Sequence, residues 1–266
     1  MALEFCSLSS GSSGNCYYLG NGFHGILIDA GISGTSIRKN LKNLGISMQS
    51  ILGVLITHNH TDHVRGLYQL VKKSQLPVFT TSRIWKSILS PDFSITSASF
   101  REIRLQQSFH MGEFALEAFP VFHDAPETIG FHIQAAGKKI TLATDLGHIC
   151  STAAAYIKAA NLLVIESNYD EQMLLEGPYP PYLKARIRSD HGHLGNHQTS
   201  DFLAHNLGDH LEHICLAHLS KNSNTPERAL HSLSQKLREK GIHLNGKPRI
   251  SVLQRDKPSD MIHLTD

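Results

Sequence analysis

Four side chains of metal-ligand type crowd into six residues of this chain, His58-Asn59-His60-Thr61-Asp62-His63. They follow Ile51–Thr57, an apolar run of buried-strand length, and Val64–Lys73 behind them has helical spacing. His58 and His60 stand two apart, so both point to one side of an extended turn. Asp62 and His63 open the next helix and point to a second position nearby. One loop thus offers two imidazoles to one metal ion and a carboxylate plus an imidazole to another. A polar loop with Asp62 as a helix cap explains only one residue of the four. The chain therefore needs a fold that delivers this loop from the end of a buried strand.

The rest of the 266-residue chain supplies such a fold. Hydrophobic residues at 41% and charged residues at 18% describe an ordinary globular protein and exclude disorder as its main state. No apolar run approaches the ~20 residues of a membrane span. The first residues, Met1-Ala2-Leu3-Glu4-Phe5, lack the basic end and apolar block of a secretory signal, so a cytoplasmic location without a membrane partner is expected. Cys6, Cys16, Cys150 and Cys215 form no close pair and read as free thiols. A net charge of +2 neither demands nor excludes nucleic acid. Histidine is the outlying residue, 18 in all, and it is the commonest metal ligand.

Periodicity gives strands at Cys16–Leu19, Gly25–Asp29, Ile51–Thr57 and Pro77–Thr81, with helices at Ser36–Leu44 and Val64–Lys73. Consecutive strands are expected at Phe100–Leu105, Phe114–Val121, Thr128–Gln134 and Lys138–Thr144. Helix and strand then alternate again through Thr152–Ala160, Asn161–Ser167, His197–Leu207, His213–Ala217, Pro226–Lys240 and Pro248–Leu253. Two β-rich halves of similar order predict two sheets packed face to face with helices outside, in one α/β domain over residues 1–266.

His58-x-His60-x-Asp62-His63 resembles the signature of the metallo-β-lactamase fold hydrolases. The resemblance implies a four-layer αβ/βα sandwich, two mixed sheets with external helices, and a two-metal site at one sheet edge. It also implies three more ligands from later strand ends: His123 after Phe114–Val121, Asp145 in Leu142-Ala143-Thr144-Asp145, and His218 in Leu216-Ala217-His218. Metal one then takes His58, His60 and His123, metal two takes Asp62, His63 and His218, and Asp145 bridges. Taken singly, a strand-end His also fits a surface role and a strand-end Asp a turn cap.

Flanking segments resemble the YycJ/WalJ group of that family: Ser9-Ser10-Gly11-Ser12-Ser13-Gly14-Asn15, Asp29-Ala30-Gly31, His123-Asp124-Ala125, Glu166-Ser167-Asn168-Tyr169-Asp170, Gly192-His193-Leu194-Gly195-Asn196 and His218-Leu219-Ser220-Lys221-Asn222. Gly195 stands where the group more often has Ser, and His148 where it tends to have an aromatic residue. The resemblance implies a 5′ to 3′ DNA exonuclease, with zinc or manganese as the metal pair and iron as a further option.

Two divalent ions about 3.5–4 Å apart share a nucleophilic hydroxide and clamp both oxygens of an in-line displacement. Asp62 is placed to orient that nucleophile, and His193, in a segment inserted at about 169–198, is the candidate general acid, although a loop histidine bonded to backbone fits there too. Ser12, Ser13 and Asn15 lie in a Gly- and hydroxyl-rich loop that suits either a phosphate cradle or a plain turn. If extended, Lys184, Arg186 and Arg188 share one face and follow a nucleic-acid backbone; a solvated face is the other reading. Tyr169, Tyr179 and Tyr182 suit base stacking or packing. The same site also fits a small-molecule hydrolase acting on a cyclic phosphodiester, lactone or thioester. A di-iron redox protein or a regulatory metal-binding module is the alternative outside hydrolysis. The sequence leaves the oligomeric state open.

Overall fold

A computed structural model describes residues 2–89 and 99–265. The first part of the chain forms β1 (Leu3–Ser9), β2 (Cys16–Gly20), β3 (Gly25–Ile28), α1 (Gly34–Asn43), β4 (Ile51–Leu55), α2 (Thr61–Val64), α3 (Leu67–Ser74), β5 (Val78–Thr80), α4 (Ser82–Ile88) and β6 (Phe100–Glu102). The strands β7 (Ser108–Met111), β8 (Phe114–Val121), β9 (Thr128–Ala135) and β10 (Lys138–Ala143) follow without a helix. Then come α5 (Ser151–Lys158), β11 (Leu162–Glu166), α6 (Glu171–Glu176), α7 (Pro181–Ile187), α8 (Asn196–Asn206), β12 (His213–Ala217), α9 (Pro226–Glu239), β13 (Arg249–Val252) and β14 (Ile262–Leu264).

Two seven-stranded mixed sheets result, in the orders β14-β1-β2-β3-β4-β5-β6 and β13-β12-β11-β10-β9-β8-β7. In each, an antiparallel run passes into parallel crossovers: β3, β4, β5 and β6 are parallel in the first, β10 to β13 in the second. The two halves thus share one strand order, as their sequence pattern implies. The C-terminal strand crosses back, with Leu3 opposite Leu264 and Phe5 opposite Ile262.

Side-chain alternation separates the layers. Along β11, Leu162 and Val164 join the core shared with the first sheet, while Leu163 and Ile165 pack under the helices. Along β12, Cys215 and Ala217 face inward, and Ile214 and Leu216 outward. Successive strand residues point to opposite faces, so a strand buried on both sides reads as one continuous apolar run. Ala229, Leu233 and Leu237 give α9 its apolar stripe against the second sheet. Pro226 at its first turn and the Thr225 side chain, which accepts from Arg228 N, start that helix. The architecture is the αβ/βα sandwich.

One expected helix is two. Val64–Lys73 divides into α2 and α3 around Arg65 and Gly66, because Gly66 N donates to Ala30 O at 2.7 Å. A Cβ at Gly66 would lie 2.1 Å from Ile32 O, and one at Gly31 would lie 1.6 Å from Asp62 O. The segment after β3 therefore runs in backbone contact with α2, and glycine is required on both sides of the crossing. Helices α4, α6 and α7 and strands β7 and β14, short or lying in polar stretches, give no clear periodic signal, and in β1 the buried Ser7 and Ser9 interrupt the apolar run.

Replacing Gly31 by alanine pushes α2 off this crossing. The Gly31→Ala protein is expected to lose at least ~2 kcal/mol of stability, read as a lower denaturant midpoint. A midpoint unchanged within error would show that the two segments separate freely.

Candidate metal centre

Every candidate ligand follows the C-terminal end of a strand, where open α/β sheets commonly bind ligands. The chain leaving β4 carries His58 and reaches His60, which precedes α2 as its cap residue; Asp62 and His63 form the first turn of that helix. His123 follows β8, Asp145 follows β10 and His218 follows β12 directly. Three ligand atoms from His58, His60 and His123 lie within 4.8 Å of one another, and so do three from Asp62, His63 and His218. Asp145 lies between these groups: its Oδ2 is 3.3 Å from His63 Nε2, and its Oδ1 is 3.3 Å from His218 Nδ1 and 3.9 Å from His123 Nε2. The structure thus brings together all seven residues that the sequence nominates.

Backbone conformation is unusual at these strand ends. Six non-glycine residues among those described have left-handed φ, and Asp29 (60°), Asp145 (56°) and His218 (57°) are three of them. Such backbone costs about 1–3 kcal/mol per residue and persists where the surroundings over-determine it.

Outer contacts orient the imidazoles. Asp29, buried at the end of β3, accepts from His63 Nδ1 at 2.7 Å and from Thr57 N at 2.9 Å. His123 Nδ1 donates to Gly192 O at 2.8 Å, and Thr57 Oγ1 is 3.0 Å from His58 Nδ1. Glu166, the last residue of β11, takes both His218 Nδ1 (2.7 Å) and His193 Nδ1 (2.9 Å) on one oxygen. Its other oxygen accepts from Leu146 N and Leu194 N. With their Nδ1 atoms engaged in this way, these rings turn Nε2 inward, an arrangement typical around bound metals.

Asp29 and Glu166 carry no role in the sequence reading. Their signal is present in hindsight: each ends a strand of apolar residues, Gly25–Ile28 or Leu162–Ile165. A carboxylate continuing such a run is buried and needs partners.

The donor set fits divalent metal. His58 Nε2, Asp145 Oδ2 and His218 Nε2 are buried without a hydrogen-bond partner, and buried polar atoms are rarely left so. Imidazole and carboxylate together suit zinc, manganese or iron. Burial lowers the His58 pKa well below its usual value, which keeps the ring neutral and its lone pair available. Burial disfavours a charged His63, yet the Asp145 and Asp29 carboxylates hold its pKa at about 10. Burial likewise opposes an ionised Glu166, but His193 and His218 pull its pKa down to about 2. Asp62 is lowered as well: burial raises it, and the His218 contact outweighs that.

The remaining nominated residues divide. His193 stands beside the ligands, its ring 4.9 Å from His123 and 5.3 Å from His218. Asn15 is buried and spends its amide inside the protein, on Gly11 N and O, with Nδ2 2.9 Å from His63 Nε2. Ser12 and Ser13 are exposed on the same loop. The stretch carrying Lys184 and Arg186 is helical, not extended, since Pro181 opens α7, so the three cations do not share a strand face. Lys184 donates to Leu175 O, Arg186 pairs with Asp124, and Arg188 pairs with Glu171 at 2.7 Å. Tyr169 is buried, Asn222 Nδ2 donates to Tyr179 OH, and Tyr182 is exposed. The excursion from β11 to α8 leaves and returns through one bridge, Tyr169 to Gly195. Phe122, 40% exposed, stacks on His148 at 4.7 Å beside this centre.

Residues 24–239 match the family model described as the beta-lactamase superfamily domain, and this chain, a metal-dependent hydrolase, belongs to that superfamily. The match narrows further. Exodeoxyribonuclease YycJ of Bacillus anthracis is 36% identical over 242 residues, covering 91% of this chain and 92% of the relative. Exodeoxyribonuclease WalJ of Streptococcus pneumoniae is 31% identical over 231 residues, 86% of each chain. The crystal structure of the metallo-beta-lactamase fold protein YhfI from Bacillus subtilis superposes with a TM-score of 0.71 at 13% identity, over 98% of this chain and 99% of that one. That last likeness is one of fold. Among the described residues no helix is long and apolar enough to cross a membrane.

Two pH effects follow for metal-free protein. The His63 contribution to stability is fully present below its unfolded value of 6.5 and is lost as pH rises toward 10. The Glu166 contribution is present above its unfolded value of 4.5 and is lost as pH falls toward 2. Melting temperature of the stripped protein is therefore expected to peak between these windows, near pH 5–6. Where His63 ligates a metal through Nε2 it must give up that proton, so zinc uptake at pH 7 is expected to release protons and to weaken as pH falls. Titration calorimetry in buffers of different ionisation enthalpy measures that release, and a buffer-independent heat would refute it.

Proposed function

We propose that this chain is a DNA exonuclease working 5′ to 3′ with two divalent ions, zinc or manganese, in one catalytic domain whose 169–198 excursion borders the site. The observation that carries the reading is the pair of three-residue groups, His58/His60/His123 and Asp62/His63/His218, with Asp145 between them. The names of the YycJ and WalJ relatives support DNA as the substrate.

Such a metal pair supplies Lewis-acid polarisation of the scissile phosphate and lowers the pKa of an attacking water. The protein's own groups do the rest. Asp62, ionised at neutral pH and with its side chain 22% exposed, is placed to accept a hydrogen bond from the attacking water and orient it. His193 is held by Glu166 through Nδ1, which leaves Nε2 to protonate the departing oxygen as the phosphorus–oxygen bond breaks. Gly192 and Glu166 keep His123 and His218 from turning, so the reacting groups meet in one geometry.

The test follows end-labelled, 5′-phosphorylated duplex DNA with purified protein and manganese or zinc. Stepwise release of nucleotides from the 5′ end is expected, with metal analysis giving two ions per chain. His60→Ala and Asp62→Ala are expected to lose metal and at least 10²-fold in rate, while His193→Ala keeps the metal and loses roughly 10²–10⁴-fold. No release from DNA by protein holding two ions would overturn the reading and direct attention to cyclic phosphodiesters, lactones and thioesters.

A further inference from the structure

The net charge of +2 conceals a separation of charge between the two helical layers. From Gly34 to Leu89, the stretch that holds α1 to α4, the chain carries eight Lys and Arg, and its single carboxylate is Asp62 in the metal centre. Seven of the eight are exposed and Arg38 is half-buried. None of them forms an ion pair among the described residues. The helices of the second layer are mixed: α6, α8 and α9 carry Glu171, Glu176, Asp201, Glu227 and Glu239, and ion pairs neutralise Arg186, Arg188, Arg228 and Lys236.

The cations of the first layer are arranged along its elements. Lys39 and Lys42 lie three apart on α1, and Arg83 and Lys86 three apart on α4, so each pair shares a helix face. Lys72 and Lys73 end α3, which packs beside α1. Arg65 is exposed three residues beyond Asp62. A cleft of about 300 Å³ opens on this face; Ser9, Ser13, Ser36, Lys39, Asn40 and Arg255 line it, with Asp256 its one carboxylate. Ser13 belongs to the loop whose Asn15 touches His63. Glu102, which accepts from Ser82, is the acidic neighbour at the α4 end.

We infer that the α1–α4 layer is the docking surface for the phosphate backbone of the uncut nucleic acid, with the Ser13–Lys39–Arg255 cleft leading the strand to the metals. This rests on the nuclease reading above and names the surface that reading leaves open. A row of cations without ion pairs matches a polyanion, and a layer whose single carboxylate from Gly34 to Leu89 is the partly exposed Asp62 limits the repulsion that a mixed surface would exert.

The experiment compares metal-loaded wild type with two double reversals, Lys39→Glu/Lys42→Glu and Lys72→Glu/Lys73→Glu. Arg238→Glu/Lys240→Glu, at the end of α9, changes net charge equally on the other layer. Dissociation constants for a 5′-phosphorylated duplex are measured across a salt series, alongside hydrolysis of bis(p-nitrophenyl) phosphate. The α1 and α3 variants are expected to bind duplex at least tenfold more weakly at low salt. Their log–log salt slope should be shallower by about 1–2, at ~0.9 per lost phosphate contact. Hydrolysis of the small substrate should stay at the wild-type rate, and the α9 variant should match wild type in both assays. Equal weakening by the α9 variant, or an unchanged slope in the α1 and α3 variants, would overturn the assignment. So would loss of binding to anionic phosphatidylserine vesicles with duplex affinity intact, which would make the layer a lipid surface. Because binding is read separately from cleavage, wild type that binds duplex but never shortens it would refute the exonuclease reading and leave this surface standing.

Discussion

A buried carboxylate between six other ligand-type side chains sets the terms for the rest of this structure. Asp145 is almost wholly enclosed, and an isolated charge there would cost several kcal/mol in lost hydration. His63 and His218, both within 3.3 Å, carry the opposing charge. Burial alone would raise its pKa, yet these imidazoles hold it well below the usual carboxylate range. Each imidazole is itself backed by a second acid, Asp29 behind His63 and Glu166 behind His218. The interior therefore alternates acid and base outward from Asp145, and each member is tolerable only because its neighbours are there.

That alternation spans the seam of the sandwich. His58, His60, Asp62 and His63 come from the first half of the chain, and His123, Asp145 and His218 from the second. Left-handed backbone at Asp29, Asp145 and His218 turns the chain sharply as each strand ends. The side chains of Asp145 and His218 then reach His63 and Asp62 across the seam, while Asp29 turns to His63 and Thr57 of its own half. Strain held at Asp145 and His218 is the cost of gathering candidate ligands from two sheets within one small volume, and at Asp29 of backing one of them.

Much of this was legible in the sequence because the ligands follow strands that read as apolar runs. Phe114–Val121 and His213–Ala217 have the limits that periodicity gives them, so His123 and His218 were placed correctly relative to a sheet edge. What escaped was information carried by other parts of the chain. The break between α2 and α3 is imposed by the Ala30–Ile32 backbone, which no local pattern around Val64 encodes. The roles of Asp29 and Glu166 depend on which imidazole lies opposite them. The cations of α7 looked available until their partners, Asp124 from the β8–β9 turn and Glu171 from α6, were in place. Helix-by-helix charge was readable all along, but a whole-chain total near zero averaged it away.

The order in which the ligands occur along the chain bears on biosynthesis. Four of them fall within six residues and emerge from the ribosome together, and His123 completes the first group of three only after β5 to β8 have been made. The second group waits for His218, after the whole excursion carrying α6 and α7 has been made. If the site holds two ions as proposed, a nascent chain thus passes through a long interval in which the first group has all its imidazoles while the second still lacks His218. Capture of the first ion during synthesis would draw the two sheets together before the later strands exist.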